Sequence, residues 1–355
     1  MGWGYSKQRR TCFTPTSKAP VFVFKSNIDK LLHGSCRRPH HAATDGLIRV
    51  DQKLEASVNS PADRPALLLH SGDQIYVDDV AGPMLVAIKQ VIEQLGLYDE
   101  QFDGAPFSSL QELYQSDRHY YARDSLLPDT ESNEAITEKF FGGVRKPIFT
   151  SSNAANHLIS LSEVIAMYLL CWSPQPWRWV NIETPTSLSE QNKQRFNTEL
   201  QALNEFSANL PKAARAMANI PNYMIFDDHD VTDDWNLSAL WEETAYEHPF
   251  SKRIVGNALI GYLLCQSCNA LIGYLLCQSW GNHRDQFQPL INHLQEGPPS
   301  DSIWPQSMQD ALIDKLLYFE HWDYDINSQP AIIVLDTRTR RWRSHVEYFC
   351  APENT

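Results

Sequence analysis

The stretch Tyr223-Met224-Ile225-Phe226-Asp227-Asp228-His229-Asp230 limits what this chain can fold into more than any other. Apolar and aromatic residues run without a break into three carboxylates and an imidazole. Carboxylates packed so closely repel one another, and burying one of them unpaired is costly, so the block must lie in water or meet cations. Two readings compete: an acidic surface turn leaving a strand, or a strand that delivers carboxylates to a bound cation. The residues in front favour the second. Tyr223 to Phe226 has the length and apolarity of a buried strand, and in α/β proteins ligands gather beyond the carboxyl ends of strands. A metal ion is the natural compensating cation.

The same pattern recurs along the chain. Leu31-Leu32-His33-Gly34-Ser35-Cys36-Arg37-Arg38 is a short apolar run ending in a small-residue turn with a thiol beside two arginines. Guanidiniums so placed would lower the thiol pKa and make Cys36 a nucleophile or metal ligand, with a buried structural cysteine as the alternative. Ala66 to Leu69, uninterrupted and apolar, reads as a strand covered on both faces and leads into His70-Ser71-Gly72-Asp73-Gln74-Ile75-Tyr76. Gly72 lets the backbone turn so that Asp73 can point into a cleft. Asp78 and Asp79 are placed to cap a helix from Pro83 to Leu95. Ala331 to Leu335 is a further buried strand, ending in Asp336-Thr337-Arg338. A twisted sheet would bring Cys36, Asp73, the group Asp227 to Asp230 and Asp336 to one edge. The fold class is therefore α/β with a polynuclear metal site, whose mixed oxygen, thiolate and imidazole donors fit iron, zinc or manganese, with calcium at an all-oxygen position.

Other readings fall away. The acidic block lacks the glycine and closing glutamate of an EF-hand, and no G-x-S-x-G elbow supports a Ser-His-Asp hydrolase. A net charge of -13 argues against nucleic acid or an anionic membrane as the main partner. The seven cysteines have no framework spacing, and no signal peptide or membrane span is legible, which together predict a cytoplasmic protein. Nothing in the sequence fixes the oligomeric state.

The remaining segments are predicted in outline. A disordered lead-in covers 1–20, one domain covers 21–345 and a ragged tail covers 346–355. Tyr98 to Lys146 reads as an excursion of short helices and loops, and Pro147 to Thr150 as a short strand. Asn156 to Trp172 is predicted to be a helix, followed by Trp177 and Trp179 as packing residues in a Pro-broken bend. Ser187-Leu188-Ser189-Glu190 matches a capping box that opens a helix burying Phe196, Leu200, Leu203, Phe206 and Leu210. The segment Asn257 to Ser267, NALIGYLLCQS, recurs letter for letter from Asn269 to Ser279. One exact tandem duplication over 257–279 is not a solenoid, and the Cys265/Cys268 pair is a by-product of its junction. A helix there needs only one copy.

Taken together, Gly34-Ser35-Cys36-Arg37, Gly72-Asp73-Gln74-Ile75-Tyr76, Ile225-Phe226-Asp227-Asp228-His229-Asp230 and Leu335-Asp336-Thr337-Arg338 resemble the PhoD-like metallophosphatases, the alkaline phosphatase D family of the metallophosphoesterases. The resemblance spans roughly residues 25 to 345. It implies a sandwich of two mixed β-sheets flanked by helices, and a two-metal hydrolase of phosphate mono- or diesters. It further implies Cys36, Asp73, Tyr76 and Asp228 as metal ligands, iron and calcium as the metals with zinc and manganese as alternatives, and a small phosphate ester as the partner molecule. Asp73 would bridge the ions. His229 matches the histidine near the leaving group, with Asp227 expected to orient it. Members of the family continue past the Asp-Thr-Arg strand to a motif resembling Ser-Gly-Asp-Val-His, which supplies late ligands and is not found here. The domain is thus expected to be incomplete, and the competing class is a catalytically silent member that keeps the fold as a binding module or as a non-functional product.

Overall fold

A computed structural model describes residues 19–128, 148–149, 151, 153–267, 284–296 and 305–341. The chain is mixed α/β, with its first sheet formed by β1 (Leu31–Gly34), β2 (Leu67–Ser71) and β3 (Asn222–Ile225) in that spatial order. All three strands run parallel, Leu31 pairing with Leu67 and Leu69 with Tyr223. Their carboxyl ends therefore open on one edge. Parallel strands need long crossovers, and helices supply them here.

Helix α1 (Gly46–Ala56) joins β1 to β2, its N-terminus capped by Asp45, which accepts from Leu47 N. Among the described residues, four α-helices lie between β2 and β3: α2 (Gly82–Leu95), α3 (Leu110–Gln115), α4 (Leu161–Trp172) and α5 (Glu190–Ala218). Beyond β3 come α6 (Ala239–Glu247), α7 (Pro249–Tyr262), α8 (Arg284–Gln295) and α9 (Gln306–Leu317). Helix α1 packs on α5, while α2, α4, α7 and α9 pack in succession into one apolar core that reaches the sheet. A second sheet is an antiparallel hairpin of β4 (Tyr324–Ile326) and β5 (Ile332–Val334). Tyr324 anchors it to β3 by stacking on Tyr223 and donating its hydroxyl to Met224 O at 2.9 Å. The two sheets are thus one all-parallel and one all-antiparallel, rather than both mixed, and the sandwich expected from the resemblance goes further than these five short strands.

Several local expectations are revised. Helix α2 starts behind Ala81, with no side-chain cap and with Pro at its first turn. Pro83 has no N–H to satisfy and Gly82 N donates to Glu199 Oε2 at 2.8 Å, so the helix starts without a cap from Asp78 or Asp79. The long helix α5 is capped by Ser189, which accepts from Asn192 N, and not by Ser187. Ile148 and Phe149 are buried in a bend rather than paired in a strand. Helix α4 begins at Leu161 behind a capping box of Ser160 and Glu163, five residues later than its apolar pattern suggested. Trp172 and Trp177 pack against the core, with Trp179 about half exposed.

The first copy of the duplicated segment lies inside the core. Asn257 donates to Glu100 Oε1 at 2.9 Å and to Ile159 O at 3.0 Å, and Leu259 and Ile260 are fully buried. A Cβ on Gly261 would lie 2.3 Å from Val164 Cγ1, so only glycine fits where α7 crosses α4. The second copy falls outside the described residues, as do the 1–18 part of the lead-in, the tail and Cys268.

Candidate metal centre

Three loops meet at the carboxyl edge of the parallel sheet. Gly72 follows β2 with φ 119, and a Cβ there would sit 2.3 Å from Asp227 Cβ, so glycine is required for the β2 and β3 loops to touch. Asp73 comes next with φ 51, and Cys36 in the β1 loop has φ 58. Each of these left-handed conformations costs about 1–2 kcal/mol outside glycine, and neighbouring backbone bonds hold them. Cys36 N donates to Gly72 O at 3.3 Å and Arg37 N to Asp73 O at 3.2 Å. The backbone pairing of β1 with β2 thus continues into the loops and sets the thiol of Cys36 against the Asp73 carboxylate.

Around Asp73 the expected ligands gather. Single carboxylate oxygens of Asp73, Asp227 and Asp228 all lie within 4.8 Å of one another. Tyr76 donates its hydroxyl to Asp73 Oδ2 at 3.2 Å. Asp73 is 4% exposed, and its Oδ1 has no hydrogen-bond partner. Burial raises its pKa, and the charges of Asp227 and Asp228 push the same way. A buried carboxylate that keeps an orphaned oxygen and lies beside two further carboxylates fits a cation, since burying the orphaned oxygen without a partner costs about 1–3 kcal/mol. The oxygen donors suit calcium or manganese, and the thiol adds a softer donor suited to iron or zinc. A second acidic group, Asp228 with Asp233 and Asp234, adjoins the first.

Asp230 does not join the cluster of Asp73, Asp227 and Asp228. Its Oδ1 accepts from Gln74 N at 2.8 Å and Ile75 N at 3.1 Å, and its Oδ2 from Asp227 N at 3.0 Å. It binds the β2 loop to the β3 loop. Trp172 Nε1 donates to Gln74 O at 3.0 Å and holds the same loop from α4.

His229 stacks on Tyr76 with ring centroids 4.8 Å apart. Its Nδ1 lies 2.8 Å from Asp78 Oδ2 and 3.0 Å from Oδ1, so the orienting carboxylate is Asp78 and not Asp227. Burial disfavours the charged ring, but the hydrogen bond and charge of Asp78, with Asp73 and Asp228 behind, outweigh it and bring the His229 pKa up to about 10. Asp78 is fully buried. Burial alone would raise its pKa, yet the bond and charge from His229 leave it lowered.

The arginines after Cys36 do not serve its thiol. Arg37 pairs with Asp45 at 2.8 Å and lies over the Trp172 and Phe206 rings, while Arg38 pairs with Asp79 at 2.8 Å. With both guanidiniums engaged elsewhere, burial raises the Cys36 pKa, the reverse of the expectation from sequence. Asp336 is likewise not at the cluster. Its Oδ1 accepts from Arg338 N and Thr339 N, both at 2.9 Å, and its Oδ2 from the Thr339 hydroxyl. The β5 end instead contributes Arg338, whose Nε lies 2.5 Å from Asp227 Oδ1 and Nη2 2.9 Å from Asp228 Oδ1.

No family model, curated protein or solved structure matches the chain. Beside the cluster lies a cleft of about 240 Å³ whose lining includes Cys36, Asp73, His33, Arg37, Phe206 and His70. His70 is 6% exposed with its Nε2 unpartnered, and burial, reinforced by Arg37, lowers its pKa to about 4, so the ring is neutral. Asp78, Arg338, Asp233 and Asp234 are residues of the site to which no sequence pattern pointed. The clue left for Asp78 is a helix start at Pro83 that needs no cap.

Proposed function

We propose that the chain is a metal-dependent hydrolase of phosphate mono- or diesters, of the PhoD-like kind. One observation carries the reading. Asp73, buried and strained with an orphaned oxygen, meets Asp227 and Asp228 from another strand end, with Cys36, Tyr76 and His229 in the same place. Cys36, Asp73, Tyr76 and Asp228 would hold the ions, iron and calcium with zinc or manganese as alternatives; of these, Asp228 belongs to both acidic groups at the sheet edge. When bound, such ions neutralise phosphate charge and lower the pKa of a bound water.

The chain's own residues do the rest. Asp78 fixes Nδ1 of His229 and keeps the ring protonated, which leaves Nε2 to deliver a proton to the departing oxygen. Tyr76 backs the ring and steadies Asp73 through its hydroxyl. The adjoining cleft offers room for the group esterified to the phosphate.

The test is hydrolysis of 4-nitrophenyl phosphate and bis(4-nitrophenyl) phosphate by protein supplied with each of the four metals. Expected is turnover that chelation abolishes and that Asp73→Asn lowers at least about 100-fold, with His229→Gln falling by about 100-fold or more on the scale of a lost general acid. A correctly folded, metal-loaded protein with no turnover of either ester would contradict the reading.

A further inference from the structure

Arg338 spans two of the three carboxylates that offer atoms to an ion, reaching Asp227 with Nε and Asp228 with Nη2. Its side chain is 13% exposed. The backbone beneath it is fixed, because Asp336 accepts from the N–H groups of both Arg338 and Thr339. The side chain can therefore swing away without disturbing the turn that carries it. Asp73, the third carboxylate, has no ion pair with this guanidinium and keeps an unpartnered oxygen.

We propose that Arg338 is an internal counter-ion: its pairing with Asp227 and Asp228 and the binding of a metal ion at Asp73, Asp227 and Asp228 are mutually exclusive. The inference rests on the metal-hydrolase reading above. A guanidinium has only donors, so it can neutralise these carboxylates but cannot share an ion with them. Held within hydrogen-bond distance of the same carboxylates, its charge repels an arriving cation at short range, where screening is weakest. Without a metal, the guanidinium spares the cluster the repulsion of adjacent unpaired carboxylates. With a metal, those oxygens are taken and Arg338 leaves. The opposite role, a brace that positions the two carboxylates for the ion, predicts the reverse effect of removing it.

The experiment measures Zn²⁺, Ca²⁺, Mn²⁺ and Fe²⁺ affinity by isothermal titration for the unmodified protein, Arg338→Gln, Arg338→Lys and Arg340→Gln. Arg340 sits on the same turn but pairs with Asp323, and so controls for general charge. Expected is at least tenfold tighter binding in Arg338→Gln, affinity near the unmodified value in Arg338→Lys, and less than a threefold change in Arg340→Gln. Unchanged or weaker binding in Arg338→Gln, with the unmodified protein still binding metal, overturns this inference alone. If neither the unmodified protein nor Arg338→Gln binds Zn²⁺, Ca²⁺, Mn²⁺ or Fe²⁺, the metal-hydrolase reading falls with the inference, whereas binding that appears only in Arg338→Gln supports the inference. A second readout needs no variant: the ¹⁵N resonance of the Arg338 Nε–H is expected to shift and lose exchange protection on saturation with Zn²⁺. A resonance that stays unmoved at saturation overturns the inference.

Discussion

Asp78 and His229 show how a residue's partner can decide its chemistry. Alone, the histidine would titrate near 6.5, and the contact with Asp78 brings it up to about 10. A histidine raised on folding adds stability that is complete below its unfolded pKa and is lost as pH climbs through the folded one, so this contribution fades between about 6.5 and 10. Asp78, lowered from 3.8, adds stability present above that value and lost in acid. Their joint contribution is therefore largest between these limits. In metal-free protein the His229 ring, followed by NMR, is expected to titrate near 10, and in Asp78→Asn to fall back toward 6.5. A midpoint that does not move in Asp78→Asn would mean that Asp78 does not govern the ring. This pair was not legible in the sequence, where Asp78 stands four residues before a helix and 151 residues from its partner. Local capping competes with every such long-range role. Asp73 was legible, because the glycine before it leaves few other reasons for a carboxylate at a strand end.

Among elements, β2 and β3 announced themselves as apolar runs with an abrupt polar end and α2 by its apolar face, whereas β5 forms where expected but is not the buried strand its composition suggested, Ile333 being 66% exposed and the following Leu335 64%. The three residues of β4 were silent, because Tyr324 earns its place by stacking on a distant tyrosine and not by any periodic pattern. The duplication was plain in sequence, but which copy is structural was not. Residues upstream of the repeat fix the register: Arg253 reaches Glu100 and Asp310 from α7, and Phe250, Ile254 and Val255 are buried ahead of Asn257. A shift of one repeat would place Gln266 where Ile254 lies and Ser267 where Val255 lies, exchanging buried apolar groups for polar ones. Gly261→Ala is therefore expected to cost about 1–3 kcal/mol through its clash with Val164, while Gly273→Ala, in the second copy, leaves stability unchanged because the seat is filled. Deleting 257–268 brings an identical segment directly behind Gly256, and a melting temperature equal to or above that of the full chain is expected. Denaturation curves check all three, and a cost at Gly273 as large as at Gly261 would show that the second copy also packs in the core.

In the whole molecule, a buried polar junction ties the helices together. Glu100, 3% exposed, accepts from Leu161 N on α4, Asn257 and Arg253 on α7 and Gln309 on α9. Burial raises its pKa to about 7 although Arg253 and these donors pull the other way. A carboxyl raised on folding binds protons in the native state that the unfolded chain has released, so it destabilises as pH rises from about 4.5 to about 7. The stability difference between the unmodified chain and Glu100→Gln should shift in favour of the unmodified chain as pH is lowered from 8 to 5, and urea titrations at several pH values read it. Among the described residues no helix is long and apolar enough to cross a membrane. What organises the molecule is the parallel sheet, whose order β1-β2-β3 places Cys36, Asp73 and Asp228 at one edge from three separate stretches of chain. Metal-induced stabilisation tests this convergence most directly. At a free metal concentration about 100 times Kd, binding to the native state alone adds about 2.7 kcal/mol and raises the melting temperature by several degrees. The unmodified protein should show that rise with at least one of calcium, manganese, zinc or iron and lose it in Asp73→Asn, whereas an equal rise in both proteins, or none in either, would contradict a metal centre built on Asp73.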